Sequence, residues 1–402
     1  AKLELMRVQL VKGTVQIPPS YFTVQHALAM PQIDWSLLCL AAKLSDPPLP
    51  FPIIEAVPGR LPFRMKEALK WWAVPRMERL LLAQEPQLIH QQQATWSIPA
   101  HRASKRLTVP MVTTLHGADA YASSLLSAPS GLAERAGRAW TAMNQEAARH
   151  SDRLLAVSRH LADVALRSGF PADRLHVHYQ GVDTQWWRPH TDTTCVPTSP
   201  EHAGQLEDPQ PGREELEDGQ IPELLFVGAF SKLKGIPNLL RAHAHVSRPH
   251  RLVLVGDGPL REELRRASAH DPSITVLGPL DRRGVRERMR RAAALVLPTR
   301  TRNGRAEAAG LVSLEAQACA TPVIVNETGG ALEMVSPACA DLKAREYEVD
   351  SLVSSINSLL SMSEVERTAR GREARSWVEA ERSLKRATAE LGAHYCELIG
   401  SK

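Results

Sequence analysis

The sequence predicts an α/β protein with two doubly wound domains, each built on a parallel sheet, that face each other across a cleft. In both halves of the chain, short β-rich apolar runs alternate with helical patterns, which is typical of a parallel sheet covered by helices. The length of 402 residues exceeds one ordinary core, and a hydrophobic content of 43% lets each half bury its own.

An acidic segment at residues 190–223 separates the two halves. It contains nine acidic residues, one arginine, five prolines and almost no apolar periodicity. Such a segment cannot bury enough surface to offset its ordering entropy, so we expect a linker or a surface insertion. We therefore expect a first domain at residues 1–189, a second at 224–375 and a C-terminal helical segment at 376–402.

Ten strands are expected, and each is followed by Gly, His, Ser or Pro or by a similar turn. In the first half they are residues 5–11, 88–91, 110–114, 153–157 and 175–178. In the second half they are residues 224–227, 251–255, 274–276, 294–297 and 322–325. Ligands of doubly wound sheets collect at the carboxyl ends of the strands, so the functional residues should directly follow these runs.

The charge distribution favours an anionic ligand. The net charge is +5, and the acidic segment conceals a body that is more basic than this value indicates. A basic body suits nucleotide phosphates, a membrane surface or nucleic acid. Nucleic acid is not expected, because the sequence shows neither an aromatic-basic stacking motif nor a helix-turn-helix pattern.

Composition also indicates a cytoplasmic location. No apolar run reaches the roughly 18 residues that a membrane span requires, and the N-terminus lacks a signal-peptide pattern. The cysteines are scattered and form no C-x-x-C pair, which argues against a disulfide framework and a zinc site. They are Cys39, Cys195, Cys319, Cys339 and Cys396.

The loop after the expected strand 224–227 is a candidate phosphate site. It runs from Gly228 to Gly235, contains Lys232 and Lys234, and precedes a helical pattern. Glycines let the backbone approach a ligand, and a helix N-terminus offers free amides to an anion. Lys234 can add a charge-assisted contact of about 1.5–3 kcal/mol. The alternative is an ordinary strand–turn–helix with a solvated lysine.

Two carboxylates follow the expected strand 294–297 at a spacing of eight. Glu307 precedes Gly310, and Glu315 lies inside the helix that begins at Gly310, Leu311 and Val312. The amides at that helix start favour phosphate, and Glu315 can accept hydrogen bonds from ribose hydroxyls. Glu307 is expected at the mouth of the cleft. The alternative is a capping acid followed by a glutamate in a salt bridge.

In the first half, His116 follows the strand 110–114 beside a glycine and can hydrogen-bond a sugar hydroxyl. A turn histidine is the equal alternative. Asp119, His90 at the end of the strand 88–91, and Arg159 after the strand 153–157 are further candidates for the acceptor or sugar side. Gly13 is expected in a loop after the first strand that helps close the donor site.

Residues 60–82 combine tryptophans with basic side chains. Trp71 and Trp72 lie among Arg64, Lys66, Lys70, Arg76 and Arg79. Interfacial tryptophans with basic residues can rest on an anionic membrane, which would suit a lipid-linked acceptor. Alternatively the tryptophans are part of a core, and Pro75 is expected to interrupt the helix.

Several segments resemble glycosyltransferase family 4. Residues 307–325 resemble the family's Glu–seven residues–Glu motif and the following Glu-Ala-x-Ala-Cys-Gly-x-Pro-Val-Val, and Gly329-Gly330 its Gly-Gly turn. Residues 228–235 are similar to Gly-Arg-Leu-x-x-x-Lys-Gly, 255–260 to a Gly-Asp-Gly-Pro turn, and 114–119 to Thr-x-His-Gly-x-Asp. The resemblance is closest to bacterial exopolysaccharide-type members and covers residue 85 to the C-terminus, apart from the acidic segment.

The resemblance implies the GT-B fold and a retaining, metal-independent hexosyltransferase without a cofactor. The implied donor is a nucleotide diphosphate sugar, with UDP as the expected nucleotide and a hexose or N-acetylhexosamine as the sugar. The implied acceptor is a hydroxyl in polysaccharide, glycolipid or secondary-metabolite synthesis. Lys234 would bind the diphosphate, Glu315 the ribose, and Glu307 the donor sugar. The catalytic residues would be His116, Glu307 and Lys234. The backbone of Leu277, Gly278 and Pro279 would contact the base, and the C-terminal helix would pack on the first domain.

The chain departs from the family pattern at several positions. Ala229 replaces a diphosphate-binding Arg, Gln92 the second His of His-x-His, and Gln180 an Asn before Gly. We expect weaker donor binding, or compensation by Lys232 or by one of three arginines, Arg300, Arg302 and Arg305. Two other functions remain open: a nucleotide-sugar epimerase of the same fold, and a non-catalytic protein that binds a nucleotide sugar.

Overall fold

The computed structural model describes residues 3–17, 20–44, 48–57, 59, 61–62, 65–66, 69–121, 131–190 and 221–400. The predicted linker at residues 190–223 therefore lies almost wholly outside the described residues, as do Arg60 and Arg64 of the tryptophan-containing segment.

Two parallel sheets of seven and six strands form the scaffold. The first sheet has the order β3-β2-β1-β4-β5-β6-β7, and the second β10-β9-β8-β11-β12-β13. The first contains β1 (Arg7–Ile17), β2 (Asp34–Leu44), β3 (Ile53–Glu55), β4 (Leu88–Gln92), β5 (Met111–Leu115), β6 (Arg153–Ala156) and β7 (Leu175–Val177). The second contains β8 (Glu223–Val227), β9 (Arg251–Val255), β10 (Ile274–Leu277), β11 (Ala294–Leu297), β12 (Val323–Asn326) and β13 (Lys343–Ala344).

Helices surround the sheets. In the first half they are α1 (Gln25–Leu28), α2 (Lys70–Gln84), α3 (Ser97–Leu107), α4 (Leu132–Arg149) and α5 (Arg159–Arg167). In the second they are α6 (Ile236–His245), α7 (Arg261–His270), α8 (Arg282–Arg291), α9 (Leu311–Ala318), α10 (Val349–Ser361), α11 (Glu364–Glu381) and α12 (Leu384–Gly400).

The first sheet is buried on both faces because its side chains alternate between two clusters. Leu37 packs on the side of α1 and α12, whereas Leu38 packs against Met77 of α2 and Ala100 of α3. Strands that are covered on both faces carry nearly continuous apolar runs, as β2 does. The predicted α/β class with two doubly wound parallel sheets is confirmed.

The ten expected strands are all present, and β2, β3 and β13 were not predicted. β1 ends six residues later than expected, because its register with β2 continues from Lys12↔Cys39 to Ile17↔Leu44. The expectation that Pro75 interrupts its helix is wrong, since α2 continues through it.

The chain returns to the first domain near residue 383. Val182 pairs with Ser383 in an isolated bridge, and α12 then packs on the first sheet. Gly181 makes this approach possible, because a Cβ there would lie 2.6 Å from the Ser383 carbonyl oxygen.

Candidate functional site

Loops that follow strands of the two sheets meet across the cleft. Ser158, after β6, donates its hydroxyl to the Ala308 carbonyl at 2.5 Å. The Ala306 amide donates to the Tyr121 hydroxyl at 3.2 Å. The segment that carries Glu307 is therefore held from the first domain on both sides.

Lys234 and Glu307 form a close ion pair at this point. Lys234 Nζ donates to Glu307 Oε2 at 2.5 Å, and both side chains are partly buried. A charge-assisted bond of this kind is among the stronger hydrogen bonds in proteins. The lysine predicted for diphosphate and the carboxylate predicted for the sugar thus lie together.

The start of α9 lies beside this pair. Gly310 adopts a left-handed conformation with φ of 74°, and no side chain caps the helix. The first amides of an uncapped helix, here those of Leu311 and Val312, are available to an anion. A Cβ on Gly310 would lie 3.2 Å from Leu297 Cδ2, so a larger residue would strain this turn.

Glu315 lies one turn into α9. Burial raises the pKa of its carboxyl to about 7, and the nearby Arg282 guanidinium offsets part of this effect. The carboxylate thus changes charge near neutral pH, and the hydroxyl groups of a ligand would favour its ionised form.

Glycines bring the turns after β8 and β9 into backbone contact. A Cβ on Gly256 would lie 1.9 Å from the Gly228 carbonyl oxygen, and one on Gly258 2.6 Å from the Phe230 oxygen. The Gly256 amide also donates to the Gly278 carbonyl at 3.3 Å, which places the Leu277–Gly278–Pro279 turn next to them. The predicted phosphate and base turns therefore form one continuous surface.

Ala229, which stands where the family has an arginine, lies on the surface of the protein. Ala229 is exposed, and so is Lys232. The Arg300 amide donates to the Leu233 carbonyl at 2.9 Å, and its Nε donates to the Lys232 carbonyl at 3.1 Å. Arg302 and Arg305 pair through their backbones in an exposed turn. Arg300 is thus the arginine attached to the lysine loop, and compensation for Ala229 stays a prediction.

Arg282, which was not predicted, joins the two domains. Its guanidinium lies 3.9 Å from the Tyr21 ring centroid and 5.3 Å from that of Trp186. Cation–π contacts of this kind are attractive, and this one connects an N-terminal aromatic residue to the arginine whose charge acts on the Glu315 carboxyl. The signal was available, because Arg282 follows the predicted base turn at the start of a helix.

On the first domain, His116 is partly buried and both its ring nitrogens have partners. Its Nε2 lies 2.7 Å from Gln92 Oε1, and its Nδ1 lies 3.3 Å from Gln180 Nε2. Its ring also packs on Phe22, with centroids 4.7 Å apart. Burial, followed by the charge of Lys12, lowers the pKa of His116 well below its usual value.

Asp119 does not face the cleft. It is 1% exposed, and its carboxylate accepts the amides of Ala94, His116 and Gly117 at 2.9, 3.0 and 2.8 Å. The prediction that Asp119 contacts the acceptor is therefore corrected: its carboxylate is used by backbone donors, and it shapes the loop that carries His116.

His90 is also buried. Its Nδ1 lies 2.5 Å from the Tyr395 hydroxyl and its Nε2 2.7 Å from the Thr114 hydroxyl. Burial lowers its pKa to about 3. The prediction of an acceptor contact is corrected here too, since α12 covers this histidine.

Gly13 lies inside β1 rather than in a loop. A Cβ there would lie 1.9 Å from Trp96 Nε1, so the glycine makes room for an indole. The predicted loop is therefore wrong, and a role of Gly13 at the donor site stays a prediction. The loop prediction failed because β1 continues past residue 11 to Ile17.

Lys12 is a buried residue that the sequence argument did not select. It is 4% exposed, donates to Thr23 Oγ1 at 3.0 Å and lies 4.6 Å from the Phe22 centroid. Burial lowers its pKa to about 8, while Asp119 raises it in part. A lysine in the middle of an apolar strand was the available signal.

Arg159 begins α5 at the domain boundary. Its amide and that of His160 donate to the Glu333 carboxylate at 2.8 and 2.9 Å, and the Tyr179 hydroxyl donates at 2.8 Å. Glu333 of the second domain thus caps a helix of the first. The Arg159 side chain is exposed, and its predicted ligand contact stays a prediction.

The described part of the chain contains neither a metal-binding cluster nor a membrane-spanning helix. No group of three or more His, Cys, Asp and Glu side chains there is arranged to hold a metal ion. Within the same residues, none of the helices has the length and apolar character needed to cross a bilayer.

Two family models match most of the chain between them. Residues 24–186 match the model described as Glycosyltransferase Family 4, and residues 221–362 match Glycosyl transferases group 1. The first match covers most of the domain that carries His116, and the second covers the region from β8 to the end of α10.

The curated proteins that this chain is similar to include two glycosyltransferases. A D-inositol 3-phosphate glycosyltransferase of Xylanimonas cellulosilytica is 31% identical over 238 residues, which are 57% of this chain and 52% of the relative. A GDP-mannose-dependent monoacylated alpha-(1-6)-phosphatidylinositol monomannoside mannosyltransferase of Corynebacterium glutamicum is 35% identical over 38% of this chain and 40% of the relative. The chain thus spans about half the length of the curated relatives it matches.

Solved structures show the same fold at low sequence identity. Sucrose-phosphate synthase from Thermosynechococcus elongatus superimposes with a TM-score of 0.75 at 20% identity, over 99% of this chain and 100% of that one. The Anabaena protein HepE, solved in complex with UDP, gives 0.70 at 16% identity over 98% and 100%. These neighbours establish the two-domain GT-B architecture, and together with the family matches they show that the chain belongs to glycosyltransferase family 4.

Proposed function

We propose that this protein transfers a hexose or N-acetylhexosamine from a nucleotide diphosphate sugar to a hydroxyl acceptor, with retention of configuration and without a metal. One observation carries the proposal: Lys234 Nζ and Glu307 Oε2 lie 2.5 Å apart beside the uncapped start of α9. Glu315 lies one turn further into that helix. Cation, free amides and carboxylate together match a diphosphate followed by a ribose.

The arrangement supports departure of the diphosphate. Lys234 and the amides of Leu311 and Val312 are preorganised donors for charge that develops as the bond to the sugar breaks. Glu315 accepts ribose hydroxyls. When the diphosphate replaces Glu307 as the partner of Lys234, the Glu307 carboxylate becomes free to bind hydroxyls of the donor sugar. The acceptor hydroxyl then attacks from the face that the diphosphate leaves.

We propose UDP as the nucleotide, with GDP as the second candidate. The base turn at Leu277, Gly278 and Pro279 offers backbone groups, which suits uracil. GDP is the second candidate because the mannosyltransferase relative from Corynebacterium glutamicum is GDP-mannose-dependent. Proteins with UDP bound appear among the structural neighbours.

A ligand that binds only the native state raises its melting temperature, so the donor is tested first by thermal shift with UDP, GDP and uridine. We expect a nucleoside diphosphate to stabilise the protein and uridine to do so much less. The configuration at the anomeric carbon of the product is then read by NMR, with and without EDTA. Inversion, or activity lost on chelation, would overturn the mechanism. Donor turnover without acceptor would indicate the epimerase.

We also propose that the first domain rests on an anionic membrane surface, where it would meet a lipid-linked acceptor on the cytoplasmic side. The supporting surface, which we call the tryptophan patch, consists of exposed residues at the start of α2 and on α4: Met65, Leu69, Trp71, Trp72 and Met143. Trp72 is 83% exposed, so it does not belong to a core. Lys66 is instead buried and paired with Glu55 at 3.0 Å, so it does not contribute to this surface.

Basic side chains adjoin the tryptophan patch. Arg76 and Arg79 are exposed on the same helix, and Lys70 Nζ lies 5.1 Å from the ring centroid of Trp140, which contacts Trp71. Tryptophans and cations on one surface favour an anionic interface. We expect the protein to sediment with vesicles containing phosphatidylglycerol and much less with phosphatidylcholine vesicles. The double variant W71A/W72A should lose this binding, whereas V365A, which changes a residue that is 78% exposed on α11, should keep it. Equal sedimentation of all three proteins would overturn the proposal.

A further inference from the structure

Two glutamines hold the ring of His116 from opposite sides. Gln92 Oε1 lies 2.7 Å from Nε2, and Gln180 Nε2 lies 3.3 Å from Nδ1. Both glutamine side chains are 4% exposed, so neither is free to turn into solvent. The ring is therefore placed between an oxygen acceptor and an amide donor.

The orientation of the Gln92 amide follows from its second contact. Its Nε2 lies 3.2 Å from His90 Nε2, which also receives the Thr114 hydroxyl at 2.7 Å. With the His90 proton on Nδ1, which faces the Tyr395 hydroxyl, the single lone pair of Nε2 is shared by the two donors, and the Thr114 hydroxyl makes the shorter contact. With the amide nitrogen committed to His90, the Gln92 oxygen faces His116, where only an N–H satisfies it.

We propose that Gln92 and Gln180 are positioning residues that keep His116 neutral with its proton on Nε2, and that Nδ1 is the atom His116 presents to a substrate hydroxyl. This rests on the proposed transferase function, with His116 in the catalytic role that the family resemblance implies. The Gln92 contact is the shorter, so it fixes the tautomer. The Gln180 contact is longer and is the one that a substrate hydroxyl displaces.

The inference explains two departures from the family pattern. Gln92 stands where the family has the second His of His-x-His, and Gln180 where it has Asn. Because both substitutions meet on one imidazole, they form a matched pair rather than two separate losses. In this chain two glutamine amides hold His116, one through its oxygen as an acceptor and the other through its nitrogen as a donor.

The surroundings also favour a neutral ring. An imidazolium would donate from both nitrogens, and the Gln180 amide would then face an N–H without an acceptor. The charged or titratable groups that act on the ring come from β1, α1, β4 and the segment after β7; they are Lys12, His26, His90 and His178. The Asp119 carboxylate is committed to backbone amides.

Three variants test the inference in the complete chain. Gln92→Met removes the acceptor at similar volume, and we expect kcat to fall about threefold to tenfold with the donor KM unchanged. Gln92→Glu keeps an acceptor but stabilises the imidazolium. With saturating donor, its kcat should therefore fall at pH 6 and recover at pH 8.5, whereas the kcat of the wild-type protein should not. Gln91→Met, an adjacent buried glutamine of β4 whose amide bonds Gln92 and Gln93 carbonyls, should keep the wild-type pH profile.

The ring itself is read by long-range 1H–15N NMR on histidine-labelled protein, with His116 assigned by comparison with His116→Asn. We expect a neutral Nε2–H tautomer from pH 6 to 8. A proton on Nδ1, titration between pH 6 and 7, or a Gln92→Glu pH profile equal to wild type would overturn the inference. If no nucleotide sugar is turned over, the proposed function fails, and the NMR spectrum still decides the tautomer.

Discussion

The polar groups on the two sides of the cleft differ in their burial and in their hydrogen-bond partners. On the second domain, Lys234 and Glu307 bond each other, and the start of α9 has no side-chain cap. On the first domain, His90, His116 and Asp119 are all bonded to other protein groups. On the second domain a partly buried charged pair lies beside a helix start without a side-chain cap, as the proposed donor site requires, whereas on the first domain these polar groups are buried or partly buried and bonded within the protein.

This difference extends to protonation. Burial raises the pKa of Glu315 to about 7, and on the other side burial lowers the pKa of His90 to about 3. In each case burial favours the neutral form. The two shifts have opposite sign, because the neutral form of a carboxyl is protonated and the neutral form of an imidazole is not. In the proposed function Glu315 would have to ionise to bind a ribose, whereas His90 stays neutral in the folded protein.

The largest expected effect is on the donor side. Lys234→Met removes the cation facing the diphosphate, so UDP affinity should fall by about 10- to 100-fold. Calorimetry with UDP and uridine measures it, and uridine should bind both proteins equally. Lys385→Met, at an exposed lysine of α12, is the matched control and should bind UDP as wild type does. Unchanged UDP affinity of Lys234→Met would place the phosphates elsewhere.

Glu315 should give donor binding a pH dependence. Its pKa of about 7 means that the carboxylate is mostly protonated at pH 6 and mostly ionised at pH 8. The affinity for UDP-glucose, whose diphosphate does not titrate in this range, should rise about tenfold between these values. Glu315→Gln should bind more weakly at pH 8 and show no such rise. A slope that persists in the variant would assign the titration to another group.

The same shift has a consequence for stability. The folded pKa lies above the usual value of 4.5, so the folded state holds this proton more tightly than the unfolded state. The Glu315 contribution to the free energy of unfolding therefore falls as pH rises from about 4.5 to 7. Glu315→Gln should melt above wild type at pH 8, and the gap should narrow at pH 5.

The positions of the residues proposed for the donor were largely predictable from sequence, and the surroundings of the acceptor candidates were not. Lys234, Glu307 and the start of α9 were found because short motifs next to strand ends determine their position, and ligand chemistry constrains those motifs. His90 and Asp119 also follow strands, but distant partners decide their role. Tyr395, 305 positions away from His90 along the chain, covers it, and three loop amides occupy Asp119. Local pattern carries no information on such partners.

Gly13 illustrates a second limit. The sequence reads Lys12-Gly13-Thr14 as a turn, because lysine and glycine interrupt an apolar run. Pairing with β2 and an indole from residue 96 override that local signal. The fold class was predictable because it rests on many alternating elements, so an error in one strand boundary does not change it.

Acid should loosen the first domain before the second. Burial lowers the pKa of His26 and His90 to about 3 and that of His394 to about 4, against 6.5 when unfolded. The unfolded state binds more protons, so the free energy of unfolding decreases as pH falls below about 6.5. Hydrogen exchange, corrected for its intrinsic pH dependence, should show α12 losing protection at pH 5 while α9 keeps it. Equal protection of both helices would contradict this.

The smallest expected effect compares two buried lysines. Lys66 is paired with Glu55 at 3.0 Å, whereas Lys12 bonds only a hydroxyl among the contacts that the structure records. Lys66→Met should lower stability by about 1–3 kcal/mol, because it leaves Glu55 without its cation. Lys12→Met should be neutral or slightly stabilising at pH 7, because it removes a charge whose burial is unfavourable.

The predicted sign of the Lys12→Met effect on stability can be checked by varying the pH. The folded pKa of Lys12, about 8, lies below the unfolded value of 10.5, so its charge penalises the folded state most below pH 8. Any advantage of Lys12→Met in melting temperature should therefore shrink as pH rises from 8 toward 10.5. A Lys12→Met protein that melts well below wild type at pH 7 would show that the ammonium stabilises β1 through Thr23 and Phe22. The acceptor side would then hold its buried charge by the same kind of favourable contact as the donor side.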